Sequence, residues 1–120
     1  MIGEIIVSSE KVDILRTADE YLGKLKKGIE NVVDLIQEGN EIEGVKNIIP
    51  VFDGIEYISK VINLTKEVQK DEINLDDLNN QLKEIIEAFE NEDYILIGDL
   101  LNYELLPVLE DIHTRIKESI

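Results

Sequence analysis

From Leu15 onward, apolar residues fall at Leu15, Ala18, Leu22, Leu25, Ile29, Val32 and Ile36. The intervals alternate 3, 4, 3, 4, 3, 4, which lines the side chains along one face of a helix. Ser8 or Ser9 is placed to cap this helix, because a serine hydroxyl accepts from the free amides of a first turn. Residues 1–8 are then an N-terminal arm. Gly23 and Gly28 lie inside the helix at a cost of about 1 kcal/mol each relative to alanine. Gly39-Asn40 ends it, glycine being suited to the left-handed position after a helix C-terminus.

The same rhythm returns three times. Asn40 and Glu43 have the spacing of a capping box, and a second seam follows at Val45, Ile48, Phe52, Ile55, Ile58 and Ile62, reaching about Gln69. "KDEIN" (Lys70 to Asn74) breaks it. Asn74 is suited to cap a third helix, with Asp76 and Asp77 near its positive end. Leu75, Leu78, Leu82, Ile85 and Phe89 form its apolar face. "ENED" (Glu90 to Asp93) makes a tight acidic connection. A fourth helix then runs from Asp93 towards Lys117, with Tyr94, Ile97, Leu101, Leu105, Val108, Ile112 and Ile116 inward. No strand-like alternation persists. Four amphipathic helices with short connections predict one all-α domain over residues 1–120, an antiparallel four-helix bundle.

The two prolines of the chain stand in matching surroundings, "IIPVFDGI" (Ile48 to Ile55) and "LLPVLEDI" (Leu105 to Ile112). Inside a helix, proline deletes one hydrogen bond and presses on the carbonyl four residues earlier, here Lys46 and Tyr103. Pro50 and Pro107 are therefore expected to kink the second and fourth helices, either curving them around the core or opening a groove for a partner. Neither stretch carries a nucleophile, a base or a ligand set.

Composition narrows the function. The net charge is −15, from 27 acids against 12 bases. Phosphate backbones and anionic membranes repel such a surface, whereas basic or amphipathic protein partners are attracted to it. There are no cysteines, which removes disulfides, thiolate zinc sites and cysteine nucleophiles and fits a reducing cytosol. The opening "MIGEIIVSSE" has no basic n-region, and no apolar run approaches the ~20 residues of a membrane helix. A cytoplasmic protein is expected. Alanine occurs only at positions 18 and 88, so the helices are expected to meet through bulky side chains.

Three enzyme-like patterns fall short. Glu110 and His113 form an E-x-x-H, but His113 is the only histidine, so a di-iron bundle site, which needs two such motifs, is not available. His113 is expected on the surface. Glu84, Glu87 and Glu90, followed by Asp99, are similar to the carboxylates with which all-α nucleotide pyrophosphohydrolases hold magnesium, since hard cations want convergent acids. The position three before Asp99 is Leu96, so half of that pattern is missing. An EF-hand loop starting at Asp71 would place Ile73 and Leu75 at ligand positions and Asp76 where glycine is required.

The aromatics remain. Tyr57, Tyr94 and Tyr103, with Phe52, read as core-edge residues or as an interface, since tyrosine is enriched at protein contacts. Glu104 sits among apolar neighbours in "NYELLP" and is expected in solvent, the alternative being a buried acid paired with Lys46, Arg16 or a base of a partner. These five residues mark the expected protein interface, on an apolar groove rimmed by acid.

From "IIPVFDGIEYISKVINLTKEVQK" through "LNNQLKEIIEAFENEDYILIGDLLNYELLPVLEDI" the chain resembles a small, uncharacterised helical family of Gram-positive bacteria. The resemblance rests on "GIEYI" at Gly54 to Ile58, Leu64-Thr65, and above all Glu90 through Glu110, and covers most of residues 11–117. It implies no catalytic residues and no cofactor, because the family has no assigned activity. Some members are encoded among motility genes, which implies an adaptor or chaperone-like role similar to small acidic export chaperones. The leading expectation is a non-enzymatic protein that binds another protein. The alternatives are a magnesium-dependent hydrolase using Glu84, Glu87, Glu90 and Asp99, or a structural homodimer.

Overall fold

A computed structural model of the chain describes residues 2–120, with side chains from Ser8 onward. Helix α1 (Ile2–Gln37) is 36 residues long, or ~54 Å at 1.5 Å per residue, and the molecule measures 56 × 22 × 19 Å. One helix therefore runs its whole length. The seven residues of the first seam are all buried. Residues 2–8 belong to α1 rather than to an arm, and Ser8 and Ser9 lie inside it rather than at its cap. Once a helix is nucleated, each added residue gains a hydrogen bond at little further ordering cost.

The end of α1 follows the sequence. Gly39 takes φ 86°, its N–H donates to the Ile36 carbonyl (3.1 Å), and Asn40 N–H reaches back to Leu35 (2.8 Å). This paired 6→1 and 5→2 bonding is the Schellman arrangement, which needs a left-handed residue at Gly39.

The second helix differs from expectation. It is two pieces, α2 (Glu41–Lys46) and α3 (Ile48–Leu64). The Asn40 side chain makes no capping bond, so the capping box does not form. Asn47 interrupts the helix, and its side chain donates to the Glu43 carbonyl (2.8 Å). Pro50 consequently lies in the first turn of α3, where a missing N–H costs nothing. A break ahead of the proline thus stands where a kink was expected.

Beyond α3 the chain is held by a buried side-chain network rather than by more helix. Thr65 Oγ1 donates to Val61 (2.7 Å), and Gln69 Nε2 donates to the Ile62 carbonyl (2.9 Å). Gln69 Oε1 accepts from Ile73 N–H (2.9 Å). One glutamine therefore ties the 3₁₀ turn Lys66–Val68 to the approach of α4 (Asp76–Glu90). Asn74 Oδ1 accepts from Asp76 N–H (2.7 Å), but the capping position expected for Asn74 falls to Leu75, whose side chain makes no capping bond.

After α4 a second Schellman turn is built without glycine. Glu92 takes φ 55°, Glu92 N–H bonds Phe89 (3.1 Å) and Asp93 N–H bonds Ala88 (3.0 Å). Asp93 then caps α5 (Tyr94–Asp99) through Leu96 N–H at 3.2 Å. A π segment (Leu100–Leu105) continues directly into α6 (Leu106–Glu118). Leu106 N–H donates five residues back, to Leu101, so the helix widens just before Pro107 would press on the Tyr103 carbonyl. A wider turn shifts the face that follows it. Leu109 is buried, and Val108, which the spacing had placed inward, is only half-buried.

Contacts along α1 run in opposite order to those of its neighbours. Lys11 pairs with Glu67, Tyr21 meets Tyr57, and Ile36 meets Gly44. On the other side Asp19 meets His113, Lys26 pairs with Glu110, and Ile36 meets Gly98. The described residues are all-helical, with no strand. The expectation of purely bulky contacts is corrected at Gly54, where a Cβ would come within 2.8 Å of Leu25 Cδ1 and still closer to the Tyr21 hydroxyl. Glycine there lets α3 approach α1 closely.

Candidate functional site

The five residues expected at an interface stand on three elements, α3, α5 and the π segment. Phe52 on α3 packs edge-to-face on Phe89 of α4, with ring centroids 6.1 Å apart. Tyr57, also on α3, does the same to Tyr21 of α1 at 5.0 Å. Both are partly buried, as is Tyr94 on α5. Tyr103, on the π segment, stands 67% exposed, and Glu104 beside it is exposed too.

The structure brings other groups together. His113 is buried rather than on the surface, and its Nε2 lies 2.6 Å from Asp19 Oδ1. Position 113 follows Leu109 by four and precedes Ile116 by three, which places it on the inward face. That spacing was readable; the partner on α1 was not. Just outside, Lys26 Nζ donates to Glu110 (2.7 Å), and this contact holds the Glu110 carboxyl below the usual carboxylate range.

Glu84 and Glu87 share a cleft with Leu96 and Leu100, whereas Asp99 lines a different one. Among the described residues no three histidine or acidic side chains converge on a metal-sized site. The facing helix offers Leu96 and Leu100 to this acidic face of α4.

Two further clefts have mainly apolar linings. The first, about 230 Å³, lies between α1 and the start of α3, walled by Leu25, Pro50 and Val51, with Tyr21, Lys24 and Asn31 at its edge. Gly28 lines it, and a Cβ there would meet nothing within 4 Å, so the α1 backbone faces open space at this position. Burial, reinforced by Tyr57 and Asp53, pushes the Tyr21 phenol up from its ordinary value. The second cleft, about 320 Å³, lies where the end of α1 meets the start of α2 and α5, and is lined by Ile36, Gly39, Glu41, Ile95, Gly98 and Asp99. Neither was legible in the apolar periodicity, because glycines carry no hydropathy signal.

Residues 13–115 match the family described as a domain of unknown function, DUF8042, and the chain belongs to it. No curated protein and no solved structure matches the chain. No helix among the described residues is long and apolar enough to cross a membrane.

Proposed function

We propose that this chain is a non-enzymatic acidic domain, its helices packed as an antiparallel bundle, that binds another protein in the cytoplasm as an adaptor or chaperone-like factor. The cleft beside Pro50 carries the reading. It is mostly apolar and open to solvent. An exposed apolar strip between helices is what an amphipathic partner segment needs. The break at Asn47 sets Pro50 at the mouth of the cleft, and the bare α1 backbone at Gly28 lets a partner side chain approach. The family resemblance implies the same adaptor or chaperone-like role.

Gly28→Leu tests this. The substitution fills the cleft from a helical position with free space and improves helix propensity, so the protein stays folded. Capture of partner from the native cell by the tagged protein should fall at least about tenfold, corresponding to ~1.4 kcal/mol, with an unchanged or higher melting temperature. Undiminished capture would refute the cleft.

A further inference from the structure

We infer that the second cleft, between the end of α1 and α5, receives a lysine or arginine side chain carried on a cationic segment of the partner. The inference rests on the protein-binding reading above and assigns it a second contact and a partner chemistry.

The floor of this cleft is fixed. Ile36 is buried between two glycines, since a Cβ at Gly44 would come to 3.0 Å from its Cγ1 and a Cβ at Gly98 to 3.2 Å from its Cγ2. Because position 98 bears no side chain, α5 packs closely on Ile36 at the base of the cleft. Ile95, 70% exposed, supplies an apolar wall. Glu41 and Asp99 supply carboxylates, and neither has an ion-pair partner among the described residues.

The charge around the cleft selects the occupant. Its residues come from two stretches without any lysine or arginine, 28–45 and 84–114. The first contains Glu30, Asp34, Glu38, Glu41 and Glu43, so the local field is negative. A purely apolar occupant would further desolvate half-buried Glu41 with no countercharge, which is costly. A second copy would bring −15 against −15. A long basic side chain satisfies both features, laying its methylene stem on Ile95 with its cation at Glu41 and Asp99.

The test is an amide NMR titration of ¹⁵N-labelled protein with a short amphipathic leucine–lysine peptide and its leucine–glutamate counterpart. With the lysine peptide, shifts at Gly39, Ile95 and Gly98 should saturate, and the affinity should weaken with added salt. The glutamate peptide should leave them unmoved. In the Glu41→Gln/Asp99→Asn variant, affinity for the lysine peptide should drop about tenfold, two rim charges being worth ~1.4 kcal/mol in binding. Non-saturating shifts spread over the whole acidic surface, or an affinity unchanged in the variant, would overturn the inference. Saturation at Gly28 and Asn47 instead would also overturn it while leaving the protein-binding reading intact. Failure of that reading is seen separately, in Gly28→Leu.

Discussion

His113 of α6 and Asp19 of α1 meet across the interior at 2.6 Å, and they are the ends of a contact 94 residues apart in sequence. A buried imidazole with one carboxylate partner is costly to half-remove, because the remaining polar group loses its hydrogen bond without regaining water. Asp19→Leu and His113→Leu should each destabilise by about 2 kcal/mol. The double variant should lose less than the sum, since two apolar groups then pack together. Urea unfolding of all four proteins measures the coupling; strict additivity would mean the contact contributes nothing.

Gly54 and Gly28 should respond in opposite directions to alanine. At Gly54 the new methyl meets Leu25 and the Tyr21 hydroxyl, and overpacking of this kind costs about 1–3 kcal/mol. Tyr21→Phe, which removes the hydroxyl, should recover part of the loss. At Gly28 there is open space, so alanine should stabilise by about 0.5–1 kcal/mol. Thermal unfolding of the three variants decides it.

The two Schellman turns offer a second comparison. Gly39 and Glu92 hold the same left-handed position, at φ 86° and 55°, and a residue with a Cβ is strained there by about 1 kcal/mol. Glu92→Gly should stabilise by roughly that amount, and Gly39→Ala should destabilise similarly. A Glu92→Gly melting temperature below that of the parent would contradict the turn geometry.

Glu110 sets a pH dependence. Lys26 lowers its carboxyl below the ordinary value of 4.5, so ionised Glu110 contributes stability that is complete above the unfolded-state value. That contribution disappears as pH falls through the lowered folded-state value. The stability difference between the parent and Lys26→Met should therefore shrink on acidification below about pH 4.5, the unfolded carboxylate range. A difference that stays constant through that window would remove Lys26 as the cause.

These contrasts show what the chain's pattern makes readable. The 3, 4 spacing from Leu15 to Ile36 located the buried face of α1 residue by residue, because burial on a straight helix is a local matter of period. Gly39 was legible for the same reason: one residue type fits one backbone conformation. Pro50 was legible as a disturbance but not as a helix start, since the break depends on Asn47 reaching the Glu43 carbonyl. The π segment before Pro107 moved the inward face from Val108 to Leu109, a shift no fixed period anticipates. Asp19 with His113, and Gly54 with Tyr21, are products of tertiary pairing. The clefts belong to that class too, because each is lined by residues from more than one helix.

The hydrolase alternative has its own measurement. A magnesium or manganese site that matters must stabilise the native state by mass action. With Glu84 and Glu87 in one cleft and Asp99 in another, millimolar metal should leave the melting temperature unchanged. A rise that Glu84→Gln abolishes would revive the enzyme reading.

The central claim is that a partner protein occupies the cleft beside Pro50, and site-specific photo-crosslinking in the native cell addresses it most directly. A photoreactive residue placed at Asn31, on the cleft edge, should give a discrete adduct with another protein. The same residue at Lys83, an exposed position on α4 outside both apolar clefts, should not. Adducts absent at Asn31, or identical from both positions, would contradict the account.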